Sequence, residues 1–446
     1  MSAAVARPFA ALLLVATLLV AALPARAVTL LRDADIEHAL AMVATPVLRG
    51  AGLSPSQVKV VMVRDDSLNA FIVDNSTIYI HSGLILKLDT PAQLQAVIAH
   101  EAAHITNGHI ARRLGNMRNA RTATLLGMAL AAATGVSTGS GDAAAAIMMG
   151  SSASAMNKFM AHTRAEESAA DISSIRSMVN AGLDPRGAVE VQEIFRGQEL
   201  LSAPRQDPYV QTHPLTRDRL RALQGLVAAS PGQGAAADPS TVYWFARARA
   251  KLAAFLRAPS WTLRRLERLP SKDIALMAEA VAQHRQSDLR RALRAIDGAI
   301  ALRPNDPFLR DLKGEILLES RQAGPAVQVY GQARQLAPRN AQILAGLGRA
   351  QLAAGQYGAA LRTLEEARDR DWRDNRVLRD LAVAYAKTGN TGMASEATAQ
   401  RYALQGRLHD AGIHANRALG LLPRGSAPYR RAQDVADAAA RAEKKR

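Results

Sequence analysis

The sequence predicts a mostly α-helical protein with a small β-sheet, in which a first domain is followed by an α-solenoid of helical repeats. Hydrophobic residues make up 48% of the 446 residues and aromatic residues only 4%, and the abundance of Ala, Leu, Arg and Gln favours helices. Short runs typical of β-strands lie between residues 58 and 80, and small residues recur every 34 positions after residue 242. The length is sufficient for two or three domains.

The first 27 residues predict an exported protein. Arg7 precedes an apolar run from Phe9 to Leu23, and Ala25-Arg26-Ala27 matches an A-x-A cleavage site. The apolar run is short for a bilayer span, so a cleaved signal peptide at 1–27 is the main interpretation and an uncleaved anchor the alternative. In a bacterium the mature protein would be periplasmic. The chain contains no cysteine, which excludes disulfides and a lipid-modified N-terminal cysteine.

The formal net charge of +17 is compatible with nucleic acid or an anionic membrane surface as a partner. The sequence shows neither a basic patch with interleaved aromatic residues nor a recognition-helix signature. We therefore expect no nucleic-acid partner, whereas peripheral membrane contact stays open.

The expected first domain spans 28–227 and begins with a helix from Val28 to about Ala44. This helix should end at Thr45-Pro46, because a residue before proline is biased away from the helical region. The predicted strands follow within Val58–Val63, Ala70–Val73 and Thr77–Ile80.

The next predicted helix runs from Ala92 to about Leu114, after Thr90 as N-cap and Pro91 at the first helical position. It carries the sequence His100-Glu101-Ala102-Ala103-His104. Two histidines four positions apart share a helix face and can reach one metal ion, and Glu101 can act on a metal-bound water. This is the HExxH pattern of zinc metallopeptidases. His109, about 140° around the helix from His104, is expected to be a structural or supporting group rather than a ligand.

A catalytic zinc usually has three protein ligands, and the third is expected from a second helix around Glu167 and Asp171. These two residues share a helical face, so Glu167 can bind the metal while Asp171 accepts a hydrogen bond from a ligand histidine. An ordinary polar helix face is the equally weighted alternative on spacing alone. Between the two helices, residues 117–160 are rich in Ala, Gly, Ser and Met. We interpret them as a lid, with a surface for lipid or unfolded substrate as the alternative.

Residues 228–241 are rich in Ala, Gly, Pro and Ser and are interpreted as a linker. From 242 to 446 the chain is expected to be helical and repetitive. Its small residues share a 34-residue spacing in three series: Ala292, Ala326, Ala360 and Ala394; Ala299, Ala333 and Ala367; and Ala280, Gly314, Gly348 and Ala382. This period is typical of tetratricopeptide repeats, which form an α-solenoid.

Taken together, HEAAH and the E-x-x-x-D helix resemble the HtpX/CAAX-prenyl-protease superfamily of zinc metallopeptidases. Further segments similar to that family are Asn69-Ala70-Phe71, Ser82-Gly83-Leu84, Ala181-Gly182-Leu183-Asp184-Pro185 and Thr212-His213-Pro214-Leu215 with Arg219.

The resemblance implies a specific set of site residues. His100, His104 and Glu167 would be zinc ligands, with one zinc per chain, and Glu101 the catalytic base. Asp171 would orient a ligand histidine. His213 would occupy the fourth zinc position in a closed, self-inhibited state.

The resemblance also implies a zinc-dependent endopeptidase for unfolded or misassembled envelope proteins, acting in outer-membrane protein quality control. Its repeats would dock partners, among them the outer-membrane β-barrel assembly machinery. The strand Thr77–Ile80, if exposed as an edge, would hold an extended peptide by backbone pairing. Tyr79 and Arg219 are candidates for stabilising the oxyanion. The alternative is a repeat-based chaperone or adaptor with a largely silent protease domain.

Overall fold

The structure, a computed structural model, describes residues 30–113, 162–202 and 205–443. The predicted signal peptide and the predicted lid at 117–160 therefore lie outside the described residues. The predicted fold class, mostly helical with a small sheet, is confirmed. Among the described residues, no helix combines the length and apolar character needed to cross a bilayer.

The elements of the first part come before residue 230. In chain order they are β1 (Leu30–Leu31), α1 (Ala34–Gly50), β2 (Lys59–Val63), β3 (Ala70–Ile72), β4 (Thr77–His81), α2 (Ser82–Lys87), α3 (Pro91–Thr106), α4 (Arg164–Asn180), α5 (Arg186–Ile194), α6 (Pro208–Thr212) and α7 (Arg217–Ala229).

The elements of the second part are all helical. They are α8 (Pro239–Leu256), α9 (Pro259–Leu263), α10 (Lys272–Arg285), α11 (Leu289–Leu302), α12 (Pro307–Glu319), α13 (Ala323–Leu336), α14 (Ala341–Ala353), α15 (Tyr357–Arg370), α16 (Asn375–Lys387), α17 (Thr391–Leu404), α18 (Leu408–Leu421) and α19 (Ala427–Glu443). The connection between α7 and α8 covers 230–238, within the predicted linker.

The first helix differs from the prediction at both ends. It begins at Ala34, because Asp33 caps it by accepting a hydrogen bond from the Ile36 N–H (2.9 Å). The preceding Leu30–Leu31 instead pairs with β2. The predicted stop at Pro46 is wrong, since the helix continues to Gly50 and buries further apolar side chains beyond the proline. Their burial offsets the backbone hydrogen bond that proline cannot make.

The sheet has the strand order β1-β2-β4-β3. Strand β4 pairs in parallel with β2 and antiparallel with β3, so Thr77–Ile80 is internal and does not meet the condition for holding a peptide as an edge strand. All five residues of β4 are buried, as expected for a central strand. The edge of the described sheet next to α6 is β3.

Helix α3 starts as predicted, with Thr90 accepting a hydrogen bond from the Gln93 N–H. It ends at Thr106 rather than near Leu114. Gly108 has φ 68°, in the left-handed region that favours glycine, and a separate helical turn follows at 109–113. The single long helix predicted here is therefore broken, and the break brings His109 back towards α3.

Helix α8 contributes to two hydrophobic cores. Phe245 and Leu252 are buried in the core of the first part, with the sheet, α1 and α3. Ala250 and Ala254 are buried with α10 and α11 in the first repeat core. The two parts are therefore joined by packing as well as by the chain.

Buried ion pairs reinforce this junction. The Arg247 guanidinium, 1% exposed, lies between Asp35 of α1 (2.9 Å) and Asp306 at the start of α12. Further along the array, Arg32 contacts Asp371 (2.5 Å) between α15 and α16. The repeats thus form ion pairs with the start of the first part at two places, near α12 through Arg247 and between α15 and α16 through Asp371.

The small residues of the 34-residue series pack helices closely. Ala292, Ala326 and Ala360 are all 0% exposed. The ring of Tyr330 fills the space between Gly314, a member of the series, and Gly346, two positions before the member Gly348. A Cβ atom at Gly314 or Gly346 would lie 2.6 Å or 2.3 Å from ring carbons. Repeat packing therefore requires glycine at these two positions.

Candidate metal centre

Helix α3 places the HExxH residues inside the protein. The helix is apolar around most of its circumference, because it packs between the sheet, α1 and α4. His100 is 5% exposed, and Glu101 and His104 are fully buried. Buried polar groups require partners, and those partners come from α4 and from the segment after α6.

Helix α4 supplies two carboxylates. Its start is fixed by a capping box, in which the Thr163 hydroxyl accepts from the Glu166 N–H and the Glu166 carboxylate accepts from the Thr163 N–H. One turn later, Glu167 and Asp171 face α3 and are 0% and 5% exposed. The side chains of an ordinary polar helix face would be exposed to solvent, so Glu167 and Asp171 do not form such a face.

The ligand groups of His100, His104 and Glu167 form a compact triangle, in which each oxygen of the Glu167 carboxylate faces one of the two histidines. His100 Nε2 lies 3.1 Å from His104 Nε2 and 3.3 Å from Glu167 Oε2, and His104 Nε2 lies 3.3 Å from Glu167 Oε1. Ligands bound to tetrahedral zinc at 2.0–2.1 Å lie about 3.3 Å apart. The donor set, two imidazoles and one carboxylate, is also one that zinc uses in peptidases. These residues therefore fit a zinc ion.

Asp171 and Arg219 support this triangle from behind. Asp171 Oδ1 lies 3.2 Å from His100 Nδ1, so an Nδ1–H donates to it and leaves Nε2 for a metal. Arg219 of α7 donates to both oxygens of Asp171 at 2.6 and 2.9 Å. It also lies 2.6 Å from Glu167 Oε2 as an ion pair, without the alignment of a hydrogen bond.

His213 closes the open side of the triangle. It follows the short helix α6 and is 0% exposed. Its Nδ1 lies 3.0 Å from Glu167 Oε1, and its Nε2 lies 3.2 Å from the Ala70 carbonyl oxygen and 3.4 Å from Glu101 Oε1. The ring of Tyr209 packs on it at 4.6 Å. The His213 side chain thus lies between the edge strand β3 and the two site glutamates.

The electrostatics separate the roles of the two glutamates. Burial raises the pKa of Glu101, and neither of its oxygens has a hydrogen-bond partner among the described residues. Burial also acts to raise the pKa of Glu167, but the neighbouring His213, His100 and Arg219 outweigh it and hold that pKa well below its usual range. Burial acts to lower the pKa of His100, while Glu167 and Asp171 outweigh it and raise the pKa to about 10. Glu167 is therefore an anion that attracts cations, and Glu101 a carboxylate available for proton transfer.

The structure places the six predicted site residues in one cluster: His100, Glu101, His104, Glu167, Asp171 and His213. It places Tyr79, a candidate for stabilising the oxyanion, outside this cluster. Tyr79 packs against Phe71 (5.4 Å), and Asp74 and Thr77 are its polar neighbours, so it is not part of the cluster. Arg219 is part of it but is held by two carboxylates. Neither residue presents a free donor to an oxyanion.

Two further histidines contact His104 directly; the sequence predicted a structural or supporting role for His109 but not this contact, and it predicted nothing for His162. His109 Nδ1 lies 2.8 Å from His104 Nδ1, and the ring of His162 stacks on His104 with centroids 3.7 Å apart. For His109 the signal was present as Gly108, which marks a helix end. For His162 no sequence signal predicts the contact.

Comparison with known proteins identifies the class of this fold and site. Residues 31–227 match the model of peptidase family M48, and residues 317–381 match a tetratricopeptide repeat. The chain therefore combines an M48 peptidase domain with tetratricopeptide repeats and is a metalloprotease, as predicted from the sequence.

The chain is homologous to the beta-barrel assembly-enhancing protease of Escherichia coli (strain K12), with 25% identity over 357 residues that cover 78% of this chain and 72% of that protein. The protein of the same name from Yersinia pestis is 24% identical over 372 residues, covering 82% and 74%. A solved structure, MamA 41-end from Desulfovibrio magneticus RS-1, is 22% identical with a TM-score of 0.32 and covers 36% of this chain and 93% of that one.

Proposed function

We propose that this protein is a zinc-dependent endopeptidase of the bacterial envelope that hydrolyses unfolded or misassembled proteins and is kept closed by His213. The observation that carries the proposal is the buried triangle of His100, His104 and Glu167 beside the carboxylate of Glu101, which accepts no hydrogen bond from the described residues. His100, His104 and Glu167 would hold one zinc ion. When bound, zinc would supply Lewis acidity at the scissile carbonyl and acidify a water molecule.

The chain's own residues would perform the remaining steps. Glu101 would accept the proton of the attacking water and return it to the leaving amine. Asp171 would keep the His100 ring in the orientation that binds the metal, and Arg219 would keep Asp171 in place. An extended substrate would pair with the backbone of β3, the edge strand beside the site.

His213 would regulate this reaction by occupying the substrate's place. Its side chain contacts Glu101, Glu167 and the carbonyl oxygen of Ala70 on the edge strand. In addition, the Thr212 carbonyl accepts a hydrogen bond from the His162 N–H (2.9 Å). Opening the site would require the breaking of these contacts, so basal activity is expected to be low.

The compartment and the partners are part of the same proposal. The predicted signal peptide supports a periplasmic location, as does homology to proteins named for enhancing β-barrel assembly. The helical repeats suit protein docking, and the outer-membrane β-barrel assembly machinery is the proposed partner. The closed site also favours a second function, in which the repeats act as a chaperone or adaptor while the peptidase is silent.

Zinc content and digestion of an unfolded protein, such as reduced casein, test the enzyme function. We expect about one zinc per chain in the wild type, Glu101→Gln and His213→Ala. Digestion should fall at least about 100-fold in Glu101→Gln and be at least equal to wild type in His213→Ala. The control is His409→Ala, because His409 is an exposed histidine of α18 paired with Glu443, and it should behave as wild type.

Two results would decide against parts of the proposal. A correctly folded wild type that binds no zinc would reject the enzyme function. If His213→Ala bound zinc but digested nothing, the inhibitory role of His213 would be wrong, and a catalytic role would replace it.

A further inference from the structure

A histidine outside the proposed zinc ligands lies against the second ligand of the HExxH motif. His109 is 2% exposed, and its Nδ1 lies 2.8 Å from Nδ1 of His104. The helix break at Asn107-Gly108 creates this contact, since the two residues would diverge by about 140° on a continuous helix.

The contacts of His104 Nε2 show which of the two rings, His104 or His109, donates the hydrogen bond between their Nδ1 atoms. His104 Nε2 points at His100 Nε2 and Glu167, at 3.1 and 3.3 Å, so this nitrogen must be free of hydrogen to bind a metal. The neutral His104 ring then carries its hydrogen on Nδ1. That N–H donates to Nδ1 of His109, which is the acceptor.

His109 is suited to be a neutral acceptor. Its Nδ1 lies 2.8 Å from Nδ1 of His104, and an imidazole nitrogen can accept a hydrogen bond there only if it carries no hydrogen of its own. Among the residues that the structure describes, the partner of His104 Nδ1 is His109, whereas the partner of His100 Nδ1 is the carboxylate of Asp171. The two ligand histidines thus differ, one being oriented by an anion and the other by a neutral imidazole.

We propose that His109 is a positioning residue that fixes the tautomer and ring orientation of His104 for zinc binding. This inference rests on the proposed zinc site, and it adds the group that holds the second ligand. Partners of this kind typically contribute 10–100-fold to metal affinity.

The competing arrangement is a second metal ion bound by His104, His109 and His162, whose ligand atoms also lie close together. Two observations disfavour it. The 2.8 Å separation of the Nδ1 atoms is that of a hydrogen bond, shorter than the roughly 3.3 Å between ligands of one zinc. His162 Nδ1 already accepts a hydrogen bond from the Arg113 guanidinium (2.9 Å), which also brings a positive charge to this side.

Two substitutions separate hydrogen bonding from packing. His109→Phe keeps an aromatic ring but removes the acceptor, whereas His109→Gln keeps an acceptor and removes the ring. Zinc affinity of the full chain is measured by competition with a chelator, and metal content is measured at saturation. We expect about 10–100-fold weaker binding in His109→Phe, a smaller loss in His109→Gln, and no change in the exposed control His409→Phe. If His109→Phe does not fold, His109→Leu takes its place with the same expectations.

The outcomes are distinguishable from failure of the proposed function. A wild type that binds no zinc would reject the proposed function itself. Wild-type zinc affinity in His109→Phe, or equal losses in the Phe and Gln variants, would overturn only the positioning role. Two metal ions per wild-type chain, one of them lost in His109→Phe, would replace that role with a second metal site.

Discussion

The substitution Arg219→Met should strongly destabilise the metal-free peptidase domain. Arg219 is 7% exposed and is the cation shared by two buried carboxylates. It donates two hydrogen bonds to Asp171, at 2.6 and 2.9 Å, and lies 2.6 Å from Glu167. Methionine has a similar reach and fills much of the space, but it leaves both anions without that partner.

The magnitude follows from the burial of these charges. Removing one member of a buried ion pair typically costs about 3–5 kcal/mol, because the remaining charge is left uncompensated in a poorly polarisable environment. Asp171 and Glu167 both keep His100 as a neighbour, which limits the loss. We therefore expect Arg219→Met to lower the free energy of unfolding by about 3–5 kcal/mol.

The assay must report on the peptidase domain itself. All three tryptophans lie in α8 or beyond, and Trp244 of α8 contacts His38 of α1, so tryptophan fluorescence would not report on the peptidase domain alone. Urea unfolding in the presence of a chelator, followed by hydrogen exchange in peptides from α4, reports on the correct region. Arg221→Met is the matched control, because Arg221 lies on the same helix, is 75% exposed and pairs with an exposed Asp218, and it should change stability by less than about 0.5 kcal/mol. A loss below about 1 kcal/mol in Arg219→Met would refute the reasoning.

Three further predictions concern the repeats and the metal. Gly346→Ala should destabilise the repeat array by about 1–3 kcal/mol, because its Cβ would lie 2.3 Å from the Tyr330 ring. The matched variant Gly331→Ala has open space around its Cβ and should stabilise the array by about 0.5–1 kcal/mol. Equal effects of the two variants in urea unfolding would contradict this prediction. Burial acts to raise the pKa of Asp374, but Arg376 outweighs it and lowers the pKa to about 2. The difference in stability between wild type and Asp374→Asn should therefore be about 2 kcal/mol above pH 4 and be lost as the pH falls through about 2. An undiminished difference at pH 2 in tryptophan-monitored unfolding would exclude this assignment. A chelator should abolish casein digestion by the His213→Ala variant, and about one equivalent of zinc should restore it. Digestion that survives chelation would contradict the metal requirement.

The sequence was most informative where local pattern and chemistry agree. Residues four positions apart lie on one face of any α-helix, which is why the pairs His100 and His104, and Glu167 and Asp171, could be recognised in the sequence. The structure brings the two pairs together. Similarly, the 34-residue period identifies the packed positions of the repeats, such as Ala326 and its counterparts, because each repeat meets its neighbours in the same way.

The failures occurred where tertiary contacts overrule local preference. Pro46 does not end α1, since the residues beyond it are buried against the sheet. The central position of β4 depends on its parallel pairing with β2, which no local pattern specifies. The partners of Arg219 come from a helix 48 residues away in sequence, and nothing in the sequence around either residue predicts that distance.

The sharing of α8 between two cores has a consequence for how the protein is made. Phe245 and Leu252 complete the core of the peptidase domain, although they follow the connection at 230–238. During synthesis, that core remains incomplete until residues 239–256 have left the ribosome. The peptidase therefore reaches its final fold only when the start of the repeat array is present, and a nascent or truncated chain ending before α8 lacks a finished protease.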